Sequence, residues 1–271
     1  MVEIIAEAGL NHKGNLDLAL DMVEAAAAAD ADVIKFQTFD PSQMYPDTHP
    51  SFKILTELRL SQADFISIAK NCEKLEIEFM STPGDVDSLK FLVWECGVKR
   101  IKIGSDDLTN EPLLSAAEDS GLPIILSTGM ATMDEVCDAM DKLRPSTRSL
   151  TTILHCVSSY PCAVDDVNLN AMDTLGRYFG KVGYSDHTKE GLACIVAASK
   201  GAIIIEKHFM LRDDPGCIDY LVSIDQWKLQ ELISKIRQVE FMLGTGSKVP
   251  CEAEKKNIPL FRKGKNGRRC A

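Results

Sequence analysis

Two lysines lie inside otherwise apolar runs, Lys35 in VIKFQ and Lys102 in RIKIGS. A buried ammonium is costly unless something pairs with it. Glu7 or Asp107 could supply a salt bridge. A phosphate or carboxylate held between the two amines would also answer the need, as would use of one amine as a Schiff-base nucleophile. Two such lysines favour the anion clamp. Hydroxyl-bearing strings follow other apolar runs: MSTP with Ser81 and Thr82, IGSD with Ser105, and LSTG with Ser127, Thr128 and Gly129. Hydroxyls and backbone N–H groups are good donors to phosphate and carboxylate oxygens. Each string is common in turns, and its weight comes from the company it keeps.

His187 in YSDHT and His208 in EKHF end the last two runs. On neighbouring strands their imidazoles could share one metal; otherwise they are satisfied core or rim histidines. Two histidines leave coordination positions open, which suits polarisation of a carbonyl more than a closed structural site. Asp186 and Glu206 precede them and could orient them or pair with a lysine. His155 and Cys156 run into Val157 and read as packing rather than as a nucleophilic pair. Glu7, Asn11 and His12 close the first run, where a carboxylate could act as a base or hold sugar hydroxyls. Tyr160 offers a phenol after the sixth run, and Asp219 in PGCIDYLVS offers a carboxylate after the last.

These residues need elements to position them. The chain writes eight short apolar runs, each stopping in polar or reactive side chains: IIAEAGLNH, DVIKFQT, EFMSTP, RIKIGSDD, PIILSTG, TTILHCVSSY, KVGYSDH and AIIIEKHF. Helical patterns separate them. Residues 16–29 are Ala-rich with a polar face, 61–74 open on Ser61 with Asp64 three positions on, and Thr132 with Glu135 makes a capping box. Further helices are expected at 85–96, 110–120, NLNAMDTLGRYF, GLACIVAASK and DQWKLQELISKIRQVEFML, several of them stopped by glycine. Alternating strands and helices, with strands of five to seven residues buried on both faces, predict a parallel sheet. Eight units favour a closed (β/α)8 TIM barrel. AEAGLNHKGN lacks the glycine pattern that an open dinucleotide-binding sheet would carry. Residues 40–60 read as the longest irregular segment, on the active face, where they could cover a substrate.

Bulk properties narrow the class. At 271 residues and 45% hydrophobic content the chain suits one barrel of about 250 residues. The expected division is a barrel over 1–247 and a tail over 248–271, with no second domain. Thirty Lys and Arg against 40 Asp and Glu give a net charge of −10, which argues against a nucleic-acid partner. Nine irregularly spaced cysteines with no C-x-x-C suggest reduced thiols in the cytoplasm, and no signal or membrane segment is expected.

Taken together, IIAEAGLNHKG, VIKFQTF, FMSTP, IKIGSDDLTN, PIILSTGMAT, LHCVSSYP, DVNLNAM, GYSDHT and IEKHF resemble the sialic acid synthase family, in order from about residue 3 to 255. That family includes N-acetylneuraminate, legionaminate and pseudaminate synthases. The resemblance implies a barrel that condenses phosphoenolpyruvate with a 2-acetamido sugar aldehyde of the N-acetylmannosamine type, giving a nonulosonic acid and phosphate. It implies Mn2+ or Mg2+ on His187 and His208. Phosphoenolpyruvate would fall on Lys35, Thr82, Lys102, Ser105, Ser127, Ser158, Tyr160 and Ser185. The sugar would fall on Glu7, Tyr160 and Asp219, with Asp107 or Glu7 handling protons. Relatives have glycine where this chain has Asp106, and some have asparagine at the position of Ser158. Relatives also carry a C-terminal antifreeze-like domain that lends an arginine across a dimer; the tail here is too short for it, so a homo-oligomer is expected with uncertain geometry. A Schiff-base aldolase and a non-catalytic sugar- or partner-binding barrel stand as alternatives.

Overall fold

The computed structural model describes residues 1–265 and 267–269. The chain divides into two compact units, Met1–Glu240 and Phe241–Ala271. The first contains eight parallel strands: β1 (Glu3–Gly9), β2 (Val33–Thr38), β3 (Glu78–Pro83), β4 (Ile101–Ile103), β5 (Ile124–Ser127), β6 (Thr152–His155), β7 (Val182–Asp186) and β8 (Ile204–Met210). Their ladders run β3-β2-β1-β8-β7-β6-β5-β4, and β3 lies beside β4 without a ladder among the described residues. The result is the expected (β/α)8 barrel, nearly closed. A two-residue β9 (Ile224–Asp225) adds to β8. The middle strands are shorter than the sequence suggests: β4 has three residues and β5 and β6 have four.

The helices are α1 (Leu16–Ala28), α2 (Pro41–Met44), α3 (Pro50–Leu58), α4 (Gln62–Lys74), α5 (Val86–Trp94), α6 (Glu111–Ser120), α7 (Met133–Asp141), α8 (Pro145–Leu150), α9 (Ala171–Phe179), α10 (Leu192–Ser199) and α11 (Gln226–Leu243). Local chemistry fixes their starts. Ser61 and Asp64 form a reciprocal capping box on α4, and Thr132 and Glu135 do the same on α7. Gly121 ends α6 in the left-handed region. Segment 40–60 is not irregular: it holds α2 and α3. Each begins with proline at its first position behind a side chain, Asp40 or His49, that accepts the backbone N–H of Ser42 or Ser51. The second unit has two single-turn helices, α12 (Glu252–Lys255) and α13 (Ile258–Phe261), and an antiparallel bridge between Lys263 and Arg269. Among the described residues no helix is long and apolar enough to cross a membrane.

Period-two alternation divides each barrel strand. Ile4, Ala6, Ile34, Phe36, Ile101, Ile103, Ile124, Leu126 and Ile205 face outward into the sheet–helix core. Ile5, Val33, Met80, Ile125, Leu154 and Ile204 form a separate apolar cluster inside the barrel. Gly183 makes room for it: a Cβ there would lie 2.5 Å from the Ile204 carbonyl oxygen and 2.6 Å from Leu154 Cδ2. Two residues further along β1, β2, β3, β5 and β8 the same inward face turns polar, with Glu7, Lys35, Thr82, Ser127 and Glu206, so the plug is the base on which the functional groups stand.

Between β7 and β8 the sheet–helix layer holds one ion pair, Lys207–Asp186 at 2.9 Å, with both side chains 0% exposed. Tyr184 Oη donates to Asp186 at 2.8 Å, and Thr188 donates both its backbone N–H and its hydroxyl. Asp186 therefore serves the barrel wall. Removing one partner of such a pair leaves a buried charge, at a cost of about 3–5 kcal/mol. Asp186→Ala is expected to lose that much unfolding free energy in urea titration. The double variant Asp186→Leu, Lys207→Met should recover the part due to the unpaired ammonium, but not the hydrogen bonds that Tyr184 and Thr188 lose. A loss below about 1 kcal/mol for the single variant would mean that water reaches the pair.

Candidate active site

A cavity of about 400 Å³ opens at the C-terminal ends of the strands. Its lining includes Glu7 from β1, Lys35 from β2, Thr82 from β3, Lys102 from β4, Ser127 from β5, Ser185 from β7 and His208 from β8. Ser105, Asp107, Ser158, Tyr160, His187 and Asp219 join from the segments that follow strands. The thirteen residues expected to bind substrate, hold a metal or handle protons thus line one cavity, whereas Asn11, His12, Ser81, Thr128, Gly129 and Asp186 lie outside its lining. The reason is register: Glu7 is the ladder partner of Lys35 on one side and of His208 on the other. All three Cβ atoms therefore point into the barrel above the plug.

The floor is a compact charge cluster. Lys35 Nζ lies 2.9 Å from Glu7 Oε2 and 3.6 Å from Glu206 Oε2, and donates to Thr82 Oγ1 at 2.9 Å. Lys102 does not pair with Glu7 or Asp107. It donates to Ser127 Oγ at 2.7 Å and to the Ile103 carbonyl at 3.1 Å. Ser185 Oγ donates to Glu206 Oε1 at 2.8 Å. Burial opposes the Lys35 ammonium, but Glu206 and Glu7 outweigh it and raise its pKa. Lys102, without a direct carboxylate contact, is pushed below its ordinary value by burial, with Lys35 adding like-charge repulsion. The two glutamates separate. Burial raises Glu7, whereas for Glu206 burial is overcome by Lys102 and Lys35, which hold it well below the usual carboxylate range. Such a split leaves one carboxyl able to carry a proton beside one that stays charged. Oε2 of each glutamate lacks a well-directed hydrogen bond, so both face Lys35 by charge alone.

Across the cavity the His187 and His208 rings lie with centroids 5.6 Å apart. His187 Nδ1 sits 2.7 Å from the Val157 carbonyl, so that nitrogen carries the proton and donates it. Burial lowers the His187 pKa to about 4, with His208 contributing, which keeps the ring neutral at pH 7. His208 Nδ1 faces Asp219 Oδ2 at 3.4 Å, a charge contact too long and ill-directed for a hydrogen bond. Burial opposes the charged ring, but Asp219 outweighs it and raises His208. Both Nδ1 atoms are turned onto protein groups, leaving each Nε2 for whatever enters. The ring of Tyr160, joined to Pro161 by a cis bond, lies 4.3 Å from that of His187, centroid to centroid, tilted by 37°. Gly9, at φ +52°, permits the approach of Asp219: a Cβ would stand 2.8 Å from its Oδ2.

At the rim, Gly129 N donates to Ser105 Oγ at 3.0 Å and to Cys156 Sγ at 3.1 Å. A Cβ on Gly129 would collide with Ser158 Oγ. Cys156 is thus a buried acceptor at the edge of the site, and His155 hydrogen-bonds the Val167 carbonyl at 2.8 Å, away from the thiol. Both are structural. Sequence reasoning does not single out several lining residues, among them Gln37, Phe39, Met44, Gly104 and Met130, and gives Glu206 only a supporting place. Glu206 was findable, because it stands two residues before His208 on the same strand face. Met44 ends α2, in the segment 40–60 expected to cover the site, and Phe39 lies just before that segment.

Fold and lining together define a barrel with a cavity at the strand ends that sets two buried lysines beside two imidazoles. Residues 22–248 match the NeuB family model. The chain is 40% identical over 270 residues to N,N'-diacetyllegionaminic acid synthase of Legionella pneumophila, covering 93% of this chain and 76% of that one. It is 33% identical to N-acetylneuraminate-9-phosphate synthase of Drosophila melanogaster, covering 94% and 72%. A crystal structure of N-acetylneuraminic acid synthetase from Leptospira borgpetersenii superposes with a TM-score of 0.89 at 37% identity, covering 96% of this chain and 90% of that one. This chain belongs to the NeuB family.

Asp107 gives a measurable signature of the site. Burial pushes its carboxyl up to about 6, with Asp106 and Asp85 adding repulsion, despite a 2.7 Å hydrogen bond from Asn110. A raised acid penalises the fold above its folded pKa, and the penalty disappears as pH falls through about 6 toward its unfolded value near 3.8. Asp107→Asn should therefore be more stable than the parent at pH 8, with the advantage gone by pH 4 in urea midpoints. An advantage independent of pH would contradict the shift.

Proposed function

We propose that this chain condenses phosphoenolpyruvate with the open-chain aldehyde of a neutral 2-acetamido sugar, releasing phosphate and a nonulosonic acid. The observation that carries this reading is the pairing, in one cavity, of a two-lysine floor with two imidazoles. Lys35 and Lys102, with Thr82, Ser105 and Ser127, suit the phosphate and carboxylate of phosphoenolpyruvate. C3 of that substrate forms a bond to the aldehyde carbon. Water then adds at C2, and the tetrahedral intermediate expels phosphate to leave the 2-keto acid. The aldehyde oxygen must gain a proton, and Glu7, buried and raised, is placed to give one; Asp107 is placed to take one from water.

The donor set fits Mn2+ or Mg2+ as a catalytic cation. His187 and His208 would hold it through Nε2, each ring oriented from Nδ1, with remaining positions open to substrate and water. Among the described residues no group of three or more His, Cys, Asp or Glu forms a closed cage. A bound cation would supply Lewis acidity toward a carbonyl oxygen.

The lining favours an uncharged acceptor. The lysines among the described lining residues are Lys35 and Lys102, both at the floor, while Asp106, Asp107 and Asp219 stand nearer the mouth. Phosphoenolpyruvate occupies both ammoniums, so a phosphorylated sugar would bring its second phosphate against carboxylates. A cytosolic setting suits the eight described cysteines, all free.

Purified protein with Mn2+, phosphoenolpyruvate and a panel of 2-acetamido hexoses should release phosphate and form 2-keto acid in equal amounts. EDTA should stop both. Neutral sugars should exceed their 6-phosphates by about tenfold or more in kcat/KM, the scale of one unfavourable charge contact. Lys102→Ala should lower kcat/KM about 10²- to 10³-fold without unfolding. No phosphate release with any acceptor would sink the reading. The depressed Lys102 amine is the observation that favours a Schiff-base aldolase instead. Borohydride with pyruvate would then leave a stable adduct mass on Lys102.

A further inference from the structure

Asn11 is 2% exposed, lies outside the cavity lining, and has no part in the chemistry above. Its carboxamide is nevertheless fully used. Nδ2 donates to the Phe209 carbonyl at 2.9 Å and to Ser223 Oγ at 2.9 Å, and Oδ1 accepts the backbone N–H of Asp219 at 3.2 Å. Ser223 Oγ in turn donates to the Asp219 carbonyl at 2.8 Å. The Asp219 residue is therefore gripped at its N–H and at its C=O by two side chains that also grip each other. One end of this clamp is anchored on β8, one residue after His208.

The clamp matters because of where Asp219 sits. It lies in the long segment between β8 and β9, whose backbone is held only by local turns and a three-residue 3-10 helix, Tyr220–Val222, with no sheet or α-helix. Its carboxylate must remain near His208 Nδ1, and the 3.4 Å contact is too long to hold the loop by itself. An amide side chain suits this role because it both donates and accepts, and adds no charge beside a carboxylate. We infer that Asn11 is a positioning residue that fixes Asp219, and through it the orientation of the His208 ring toward the cavity. The inference rests on the reading of His208 as a metal ligand for its consequence, and on the clamp alone for its mechanism.

The test is a double-mutant cycle read as Mn2+ affinity, from the electron paramagnetic resonance of free Mn2+, with hydrogen exchange of segment 211–223 measured alongside. Loss of a partner that orients a ligand typically weakens metal binding about 10- to 100-fold. Asn11→Ala and Asp219→Asn should each raise the Mn2+ Kd on that scale. Asn11→Ala should add little in the Asp219→Asn background, because its effect travels through the same carboxylate. Exchange should rise in 211–223 while the barrel strands stay protected. An unchanged Kd for Asn11→Ala, or additive effects, would overturn the inference. If the parent protein binds no Mn2+, the metal reading falls and exchange decides for Asn11: an undisturbed 211–223 rejects the clamp. Should Asn11→Ala fail to fold, Ser223→Ala removes the other arm and is judged by the same two measurements.

Discussion

The site depends on placing two ammoniums directly above an apolar plug. Ile5, Val33, Met80, Ile125, Leu154 and Ile204 fill the barrel from below, so Lys35 and Lys102 cannot be hydrated from that side. Their charges must be met by groups in the same layer. Glu7 and Glu206 meet Lys35, while Ser127 and a main-chain carbonyl meet Lys102. The asymmetry has a consequence. One lysine is held charged by carboxylates and the other is left short of negative charge.

The same low-dielectric setting separates groups that would be alike in water. Glu7 and Glu206 lie on adjacent strands, yet burial raises one and the lysines depress the other. His187 is kept neutral by burial, while Asp219 raises His208. Neither imidazole is oriented by its own strand. One is fixed by a carbonyl that follows β6, and the other faces a carboxylate that Asn11, just past β1, holds in place. The active face is therefore assembled by loops that check one another across the barrel mouth. The strands set how deep each group sits, and the loops set which way it points.

The alternation of apolar runs with helical segments is enough to read the barrel, because a parallel strand buried on both faces leaves a nearly continuous apolar signature. The caps on α4 and α7 are legible for a similarly local reason, since both partners lie within one turn. The segment at 40–60 reads as irregular and is not. Its helices are one and two turns long, and in so short a stretch the proline starts outweigh any periodicity. Asp186 reads as an orienter of histidine or a partner for a lysine, and the structure makes it the second: it pairs with Lys207, which the sequence does not pick out as that lysine.

By itself the sequence determined which residue types stand at each strand end, and so the chemistry on offer: two amines, a set of hydroxyls, carboxylates and two imidazoles. Side-chain alternation along a strand is a property of two or three consecutive residues, so it survives in the linear text. Pairing between charges is not. Whether Lys35 met Glu7 or Asp107, whether Lys102 met either, and which of two glutamates could hold a proton depended on strand register and on distances of about 3–4 Å between residues far apart in the chain. Asn11 is the sharpest case. In the sequence it is a polar residue at the end of a strand; only closure of the barrel brings it against a loop some two hundred residues away.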